Sequence, residues 1–319
     1  MIDRPLVRAV LLAAAASTVS CSGPSTEPPA AASTSPIPAI EAWRAKHEAD
    51  YRRTYASIAG LHPLKPGRNT AGSAASNDIV LPSSVPASIG AFVLNGKAVR
   101  FEPAPGANVG LEDQPVTAPR DLRDDGTPKP DELTIGAVSL VVHLSGEERT
   151  VRVRDPEGPL AKDFRGFSWF AIDLGYRVTG RFIGDAAPAK LAVVNTYGDV
   201  DQFTTEGVVE FTLQGRTMRL RPFTTRPKRF WFVFKDASSG KETYEAARFL
   251  YADLADDGTV LLDFNQAYNP PCAFNPFTTC PIPLKENNLP IAVLAGEKDY
   301  PVKVLLPTRP PSPEPTASE

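Results

Sequence analysis

The sequence is poor in the residue types that support the commonest enzyme chemistries. It has three histidines and three cysteines in 319 residues, a thin supply for a zinc site or a Ser/His/Asp triad. It has no G-x-S-x-G, H-E-x-x-H or C-x-x-C motif and no glycine-rich phosphate loop. These absences remove the familiar signatures of hydrolases, metalloproteases, thiol oxidoreductases and nucleotide-binding proteins, and we expect neither a metal nor a cofactor.

The chain also lacks an excess of basic charge and a long apolar run. Lys and Arg total 34 against 37 Asp and Glu, and no basic stripe occurs, so nucleic acid is not an expected partner. The apolar run 9–19 has eleven residues, whereas a membrane-spanning helix needs about 20. Residues 1–21 therefore read as an export signal.

The end of this signal resembles a lipobox. In "TVSC", Ser20 suits the position before the cleavage site, while Thr18 departs from the usual Leu. We expect Cys21 to be lipidated, which would anchor an exported protein to a membrane of the bacterial cell envelope. The alternative is cleavage after the alanine run, which would give a free periplasmic protein. Residues 22–38 and 307–319 are rich in Pro and small residues, and we expect a disordered linker and tail there.

The remaining residues, 39–306, predict a mainly β domain that follows one amphipathic helix. Apolar residues recur every three or four positions through "AIEAWRAKHEADYRRTYASIAG", residues 39–60. His47 lies on this stripe, where a packed histidine is a better interpretation than a ligand.

Short alternating runs between turn residues follow the helix. "AFVLNGKAVRFEP", "VSLVVHLSGEERTVRVRD" and "VVEFTLQGRTMRLRPF" predict hairpins, and "FSWFAID" and "IAVLAG" are among further predicted strands. "TYEAARFLYADL" could form a second, short helix. Ten or more strands favour an antiparallel β-sandwich or open barrel. The polar loop 120–133 is a candidate boundary between two β lobes.

The stretch "DFNQAYNPPCAFNPFTTCP", residues 263–281, is the densest in polar, rigid and aromatic residues. One interpretation is a cleft lined by Asp263, Asn265, Tyr268, Asn269 and Glu297. In it the amides would fix a polar ligand, and Asp263 and Glu297 would be a catalytic acid–base pair. The alternative is that the Asp and Asn side chains cap the loop's own backbone.

Three other residues carry weaker signals. Cys272 and Cys280, spaced C-x7-C without a nearby His, favour a disulfide over a metal site in an exported protein. His143 lies in the predicted strand "VVHLS", where it faces either a core or a pocket.

Residues 232–298, "FVFKDASSGKETYEAARFLYADLADDGTVLLDFNQAYNPPCAFNPFTTCPIPLKENNLPIAVLAGEK", resemble the C-terminal hallmark of the bacterial family DUF1684. Upstream, "NDIVLP", "IGAFVLNG", "VRVRD" and "FRGFSWFAID" follow the family's order, so the resemblance extends over most of residues 39–300. The family implies shared architecture but no reaction. Its motif adds Asp236, Tyr244 and Arg248 to the candidate ligand site, where the Arg could bind a carboxylate or phosphate, or form a structural ion pair.

Three functions remain open from the sequence. The first is a non-catalytic, lipid-anchored binding module for a small polar or anionic ligand. The second is a carboxylate-assisted hydrolase that uses Asp263 and Glu297. The third is a purely structural or interaction module in which the loop 263–281 is a rigid clasp.

Overall fold

A computed structural model describes residues 35–302. The predicted signal, the lipidation site Cys21, most of the linker and the predicted tail lie outside the described residues. Among residues 35–302, no helix has the length and apolar character needed to cross a membrane.

One long helix precedes the sheets, as predicted. Helix α1 spans Ile37–Thr54, so it begins two residues before the predicted start and ends earlier than predicted. Ile58 lies in the segment 39–60 that was predicted to be helical, but it begins the first strand, Ile58–Pro63. A second helix, α2 (Pro159–Asp163), is a single short turn. The segment 243–254, considered as a further helix, contains the strand Arg248–Asp253 instead.

Within residues 35–302, eighteen strands form four sheets, which confirms the mainly β fold with extensive antiparallel pairing. The first sheet has six strands, in the order β1 (Ile58–Pro63), β11 (Glu148–Arg154), β10 (Val138–Ser145), β9 (Glu132–Ile135), β6 (Gly110–Leu111) and β7 (Gln114–Pro115). The second has five, in the order β3 (Ile79–Val80), β2 (Gly67–Gly72), β4 (Gly90–Asn95), β5 (Ala98–Pro103) and β8 (Arg120–Leu122). These two sheets share one hydrophobic cluster.

The other two sheets lie later in the chain. The third has four strands, in the order β14 (Arg216–Leu220), β13 (Val200–Leu213), β12 (Arg177–Val194) and β18 (Thr259–Asp263). The fourth has three, in the order β15 (Phe223–Arg226), β16 (Arg229–Phe234) and β17 (Arg248–Asp253). They share a second hydrophobic cluster that is rich in phenylalanine. The two clusters define a first lobe and a second lobe.

The three predicted hairpins form with the predicted turns. β4 and β5 turn at Asn95–Ala98, β10 and β11 at Ser145–Glu148, and β13 and β14 at Leu213–Arg216. In the last, Gln214 and Gly215 both have positive φ, as a two-residue hairpin turn requires. Local turn chemistry therefore sets the register of these pairs.

The polar loop 120–133 does not separate the two clusters. Leu111 and Leu133, on either side of it, pack in the same cluster of the first lobe. The chain passes from the first lobe to the second between β11 and β12, through residues 155–176. Residues 167–173 and 291–296, both predicted strands, are irregular there apart from a bridge between Trp169 and Glu297.

Candidate functional site

The first part of the loop 263–281 is held by its own polar side chains. Asp263 ends β18, and its Oδ1 accepts hydrogen bonds from the backbone N–H of Asn265 (3.1 Å) and from Asn265 Nδ2 (3.0 Å). Its Oδ2 lies 3.2 Å from Nε of Arg177. Asp263 thus caps a short 3-10 turn, Phe264–Gln266, as the structural interpretation predicts.

Asn265 is fully buried and ties this loop to another segment. Its Oδ1 accepts from the N–H of Asp173 (2.9 Å), and its Nδ2 donates to the carbonyl of Asp173 (2.9 Å). Its own carbonyl accepts from Nε and Nη2 of Arg44 on α1. The amide therefore binds Asp263 of its own loop and the backbone of a different segment, and both of its polar atoms have protein partners.

Glu297 is also a buried, internally bound group. Its side chain accepts a 2.8 Å hydrogen bond from the backbone N–H of Asn269, whose Nδ2 donates to the carbonyl of Lys298 (2.7 Å). Burial raises the pKa of Glu297 well above its ordinary value, against the lowering effects of the Asn269 hydrogen bonds and the charge of Arg248. Glu297 thus joins the loop to the segment that follows it.

The family-motif pair Asp236 and Arg248 is an ion pair without solvent contact. Nη1 of Arg248 lies 3.0 Å from Oδ2 of Asp236, and both side chains are 0% exposed. Arg248 also donates to the carbonyls of Val293 (2.9 Å) and Ala295. Burial lowers the pKa of Arg248, while the charge of Asp236 opposes that shift. Arg248 therefore forms a structural ion pair, which is the second of the two roles considered for it from the sequence.

Cys272 and Cys280 are free, buried thiols in this structure, and a disulfide between them stays a prediction. The two thiols are hydrogen-bonded neighbours, and that hydrogen bond and burial raise the pKa of Cys272 well above its ordinary value. Tyr244, the remaining predicted ligand residue, points its hydroxyl at the Cys272 sulfur from 3.8 Å.

An aromatic cavity lies beside this loop, where α1 and both lobes contribute side chains. Its volume is about 360 Å³, within the usual range for small-molecule sites. Two of the predicted ligand residues, Tyr268 and Asn269, line it, whereas Asp236, Tyr244, Arg248, Asp263, Asn265 and Glu297 lie outside its lining. Its aromatic walls comprise Tyr51, Tyr55, Trp231, Phe249, Tyr251 and Tyr268.

Strand alternation places these side chains at the cavity. In β11, Val151 and Val153 point into the core of the first lobe, so Arg152 between them points to the opposite face. In β16, Phe230 and Phe232 fill the core of the second lobe, and Trp231 faces away from it. The cavity thus forms where the outer faces of the first and fourth sheets meet under α1 and the loop.

His47 completes the aromatic wall from α1. Its ring stacks on Trp43 with centroids 4.9 Å apart and lies 4.4 Å from Tyr268. Burial lowers its pKa to about 4, against the charges of Asp50 and Glu48. The ring is therefore neutral at pH 7 and belongs to the packed wall, as predicted for this position.

A carboxylate, an imidazole and a hydroxyl form a chain at the cavity. Asp125 Oδ2 lies 2.7 Å from Nδ1 of His143, and Nε2 of His143 lies 3.2 Å from Oγ1 of Thr279. Asp125 also accepts from the backbone N–H of Leu144 (3.0 Å) and from Nη1 of Arg152 (3.1 Å). Asp125 comes from the polar loop 120–133, and His143 and Thr279 line the cavity.

The local charges set the protonation of this chain. Burial raises the pKa of Asp125, but its bonds with His143 and Leu144 and the charge of Arg152 outweigh that effect and leave it below its ordinary value. Burial lowers the pKa of His143, while its hydrogen bond to Asp125 opposes the shift. At pH 7 the carboxylate is ionised and the imidazole is neutral.

Three residues that line the cavity carry polar atoms without a partner. Nε of Arg152, Nε1 of Trp231 and Oδ1 of Asn269 are buried and make no hydrogen bond to any described residue. Such atoms are costly unless something binds them. The residues that line the cavity therefore carry two donors and one acceptor that lack a partner among the described residues. No group of His, Cys, Asp and Glu within residues 35–302 is arranged to hold a metal ion.

Sequence reasoning missed most of this site. Arg152 and Trp231 alternate with core residues of β11 and β16, and that alternation was the available signal. His143 was recognised as facing a core or a pocket, and it faces the pocket. No sequence pattern indicated a role for Asp125 or Thr279, because only the folded chain brings them close to His143.

These features define a β-rich, two-lobed protein with a small-molecule-sized aromatic cavity. Residues 162–298 match the model of the family DUF1684, which is described as a protein of unknown function. The match covers the second lobe and is shorter than the resemblance over residues 39–300. The first lobe, which supplies Asp125, His143 and Arg152, lies outside it.

One solved structure similar to this chain is the solution NMR structure of an uncharacterised protein of Haloarcula marismortui. It shares 30% identity, with coverage of 45% of this chain and 82% of that chain, and a TM-score of 0.38. No curated protein matches the chain.

Proposed function

We propose that this protein binds a small molecule with a flat, apolar body and an oxygen acceptor, such as a carboxylate, in the cavity between its lobes. The observation that carries this proposal is the set of unpartnered buried polar atoms on Arg152, Trp231 and Asn269, all of which line one aromatic cavity. A ligand that met these atoms would relieve their desolvation cost.

The shape and chemistry of the walls define the ligand class. Rings on several sides favour a flat body, because aromatic groups stack or pack edge to face at little entropic cost. Arg152 supplies a fixed positive charge and an unpartnered N–H, and an Arg–carboxylate bond is stronger than one between neutral groups. Asn269 can accept a hydrogen bond from a hydroxyl or amine on the same ligand.

A fluorescence titration tests the proposal directly. The probes are benzoate, 4-hydroxybenzoate and indole-3-acetate, added to the purified full chain. Trp231 lines the cavity, so binding should change the tryptophan emission, and Trp231→Phe should remove most of that change. Arg152→Gln should weaken binding about 10-fold to 100-fold, since a charge-assisted hydrogen bond contributes about 1.5–3 kcal/mol.

A matched control separates the cavity from general effects of charge. Arg219 lies outside the cavity, in an exposed pair with Glu210 at 2.7 Å. Arg219→Gln should therefore bind the probes as the parent does. Equal weakening by Arg219→Gln and Arg152→Gln, or no response to any probe, would count against a ligand site in this cavity.

We also propose that the protein acts in the cell envelope as a lipid-anchored protein. The sequence "TVSC" at residues 18–21, the preceding apolar run and the Pro-rich segment that follows support this. Membrane anchoring should depend on Cys21. Expressed in bacteria, the parent should partition into detergent and incorporate labelled fatty acid, and Cys21→Ser should do neither. A water-soluble parent without label would favour the free periplasmic alternative.

A further inference from the structure

The proposed binding makes no use of the hydrogen-bonded series Asp125–His143–Thr279. The order of the three side chains suggests a catalytic role instead. A carboxylate contacts one ring nitrogen of an imidazole, and a hydroxyl contacts the other, at 2.7 and 3.2 Å. This is the arrangement by which a general base activates a hydroxyl nucleophile. The hydroxyl lies in the lining of the proposed ligand cavity.

The hydrogen bonds assign the protons along the chain. Asp125 accepts from the N–H of Leu144 and from Arg152, so it is an ionised acceptor. Nδ1 of His143 must then be the donor to Asp125. In the neutral ring Nε2 carries the lone pair, and the hydroxyl of Thr279 donates to it.

The backbone around Thr279 is fixed on both sides. The N–H of Cys280 donates to Oγ1 of Thr196 (3.1 Å), and its carbonyl accepts from the N–H of Thr196 (2.8 Å). On the other side, Oγ1 of Thr278 donates to the carbonyl of Asn275 (3.0 Å). The hydroxyl is therefore held in place before a substrate arrives, which lowers the entropic cost of reaction.

We propose that this cavity hydrolyses small carboxylic esters with an aromatic group, with Thr279 as nucleophile, His143 as general base and Asp125 as the residue that positions His143. The proposal rests on the proposed function, because a substrate must first occupy the cavity. Trp231 Nε1 and Arg152 Nε belong to lining residues and have no partner among the described residues, and in this proposal they donate to the developing oxyanion.

The steps balance without any further reactant except water. The Thr279 oxygen bonds to the ester carbonyl carbon as its proton moves to His143 Nε2. The bond to the alcohol then breaks, and His143 returns the proton to the departing alcohol. Water attacks the acyl-threonine and gives a proton to His143, which passes it to the Thr279 oxygen as the carboxylic acid leaves.

The test is the hydrolysis of p-nitrophenyl benzoate and p-nitrophenyl acetate by the purified full chain. The parent should release p-nitrophenol faster than buffer, and Thr279→Val and His143→Gln should lower the rate about 100-fold or more. Thr279→Ser keeps a hydroxyl and should restore activity. A peptide carrying Thr279 should gain the mass of the acyl group in rapidly quenched samples.

Matched controls remove non-specific ester cleavage from the comparison. Thr212 is an exposed hydroxyl bonded to Thr217 (3.0 Å), and His62 lies outside the cavity. Thr212→Val and His62→Gln should hydrolyse the esters at the parent rate. Circular dichroism should show the same fold for every variant compared.

A pH profile tests whether Asp125 positions His143 for catalysis or only stabilises the fold. His143 is faced by Asp125 and Arg152 on the first lobe and by Asp201 on β13. Activity should be lost as pH falls through the pKa of His143, which lies below its ordinary value. Asp125→Asn removes a group that raises this pKa, so the midpoint should move to lower pH while the rate falls.

The outcomes distinguish this inference from the binding proposal. A parent no faster than buffer, or a Thr279→Val variant as fast as the parent, overturns the catalytic inference. If the aromatic carboxylates still change the Trp231 emission in that case, the binding proposal stands alone. If neither hydrolysis nor binding occurs, both fall.

Discussion

Two Arg–Asp pairs in this protein have nearly the same length and opposite surroundings. Arg248 and Asp236 are 3.0 Å apart with no solvent contact, and Arg248 also bonds two backbone carbonyls. Arg152 and Asp125 are 3.1 Å apart and 12% and 25% exposed, and Arg152 lines the aromatic cavity. The first pair joins segments of the second lobe, whereas the second pair faces space that an occupant can enter.

The difference lies in what surrounds each guanidinium, and not in the pair itself. Each leaves its Nε without a partner among the described residues. For Arg248 this atom is enclosed by protein, but Arg152 is a lining residue of a cavity of about 360 Å³. A charged residue in a family motif is therefore not sufficient to mark a ligand site.

The largest expected effect is on stability, from Arg248→Met. This change leaves the Asp236 carboxylate buried and unpaired, which typically costs about 3–5 kcal/mol. Denaturant unfolding should show that loss. Arg229→Met provides the control on a neighbouring strand, because its pair with Asp253 is partly exposed and should contribute about 1 kcal/mol or less. Similar losses from both changes would remove the contrast between buried and exposed pairs.

Asn265→Ala should destabilise the fold next most strongly. The change leaves the N–H and carbonyl of Asp173 without their buried partners, at a cost of about 1–3 kcal/mol. Thermal unfolding measures it, with the exposed Asn288→Ala as the control. Since Asn265 lies outside the cavity, its replacement should leave the binding of aromatic carboxylates unchanged. A weakened affinity with normal stability would return this residue to the ligand site.

Glu297→Gln should alter how stability depends on pH. The folded pKa of Glu297 is raised above its ordinary value of 4.5, so the folded state binds more protons than the unfolded state in that window. The stabilisation is complete below about 4.5 and is lost as pH rises through the folded pKa. The parent should therefore lose stability on this rise, and the uncharged Gln variant should lose less. Parallel curves for the two proteins would contradict a buried, protonated Glu297.

Arg152→Gln should have the smallest effect on stability. Asp125 keeps its bonds to His143 and the Leu144 N–H and is 25% exposed, so the unfolding free energy should fall by about 1 kcal/mol or less. Denaturant unfolding of this variant beside Arg248→Met measures the contrast between the two pairs. A loss of several kcal/mol would mean that Arg152 is a structural residue like Arg248.

Local patterns predicted much of the fold. Gly96 and Gln214–Gly215 marked their hairpins because two-residue turns need backbone conformations that few residues adopt. The first turn is Gly96–Lys97, because Asn95 still pairs with Ala98. Residues 167–173 show the limit of such reasoning. They read as a strand by composition, but Trp169 forms only a bridge to Glu297, since strand formation depends on a neighbour that is remote in sequence.

The candidate site was less predictable for the same reason. The polar residues of the loop 263–281 were visible in the sequence, but most of them bind the protein's own backbone. Arg152, Trp231 and Asp125 are far apart along the chain, and no local pattern joins them. Folding of the first lobe brings Asp125 to Arg152, and the packing of the first lobe against the second lobe brings Arg152 and Trp231 to one cavity.

The most direct test of this account compares Arg152→Gln with Asn265→Ala in the binding of indole-3-acetate, followed by titration calorimetry. The ligand is expected to bind in the cavity, and the first part of the loop 263–281, which contains Asn265, is expected to have a structural role. We therefore predict an affinity about 10-fold to 100-fold lower for Arg152→Gln and a parental affinity for Asn265→Ala. Loss of binding in Asn265→Ala, with parental affinity in Arg152→Gln, would contradict this account.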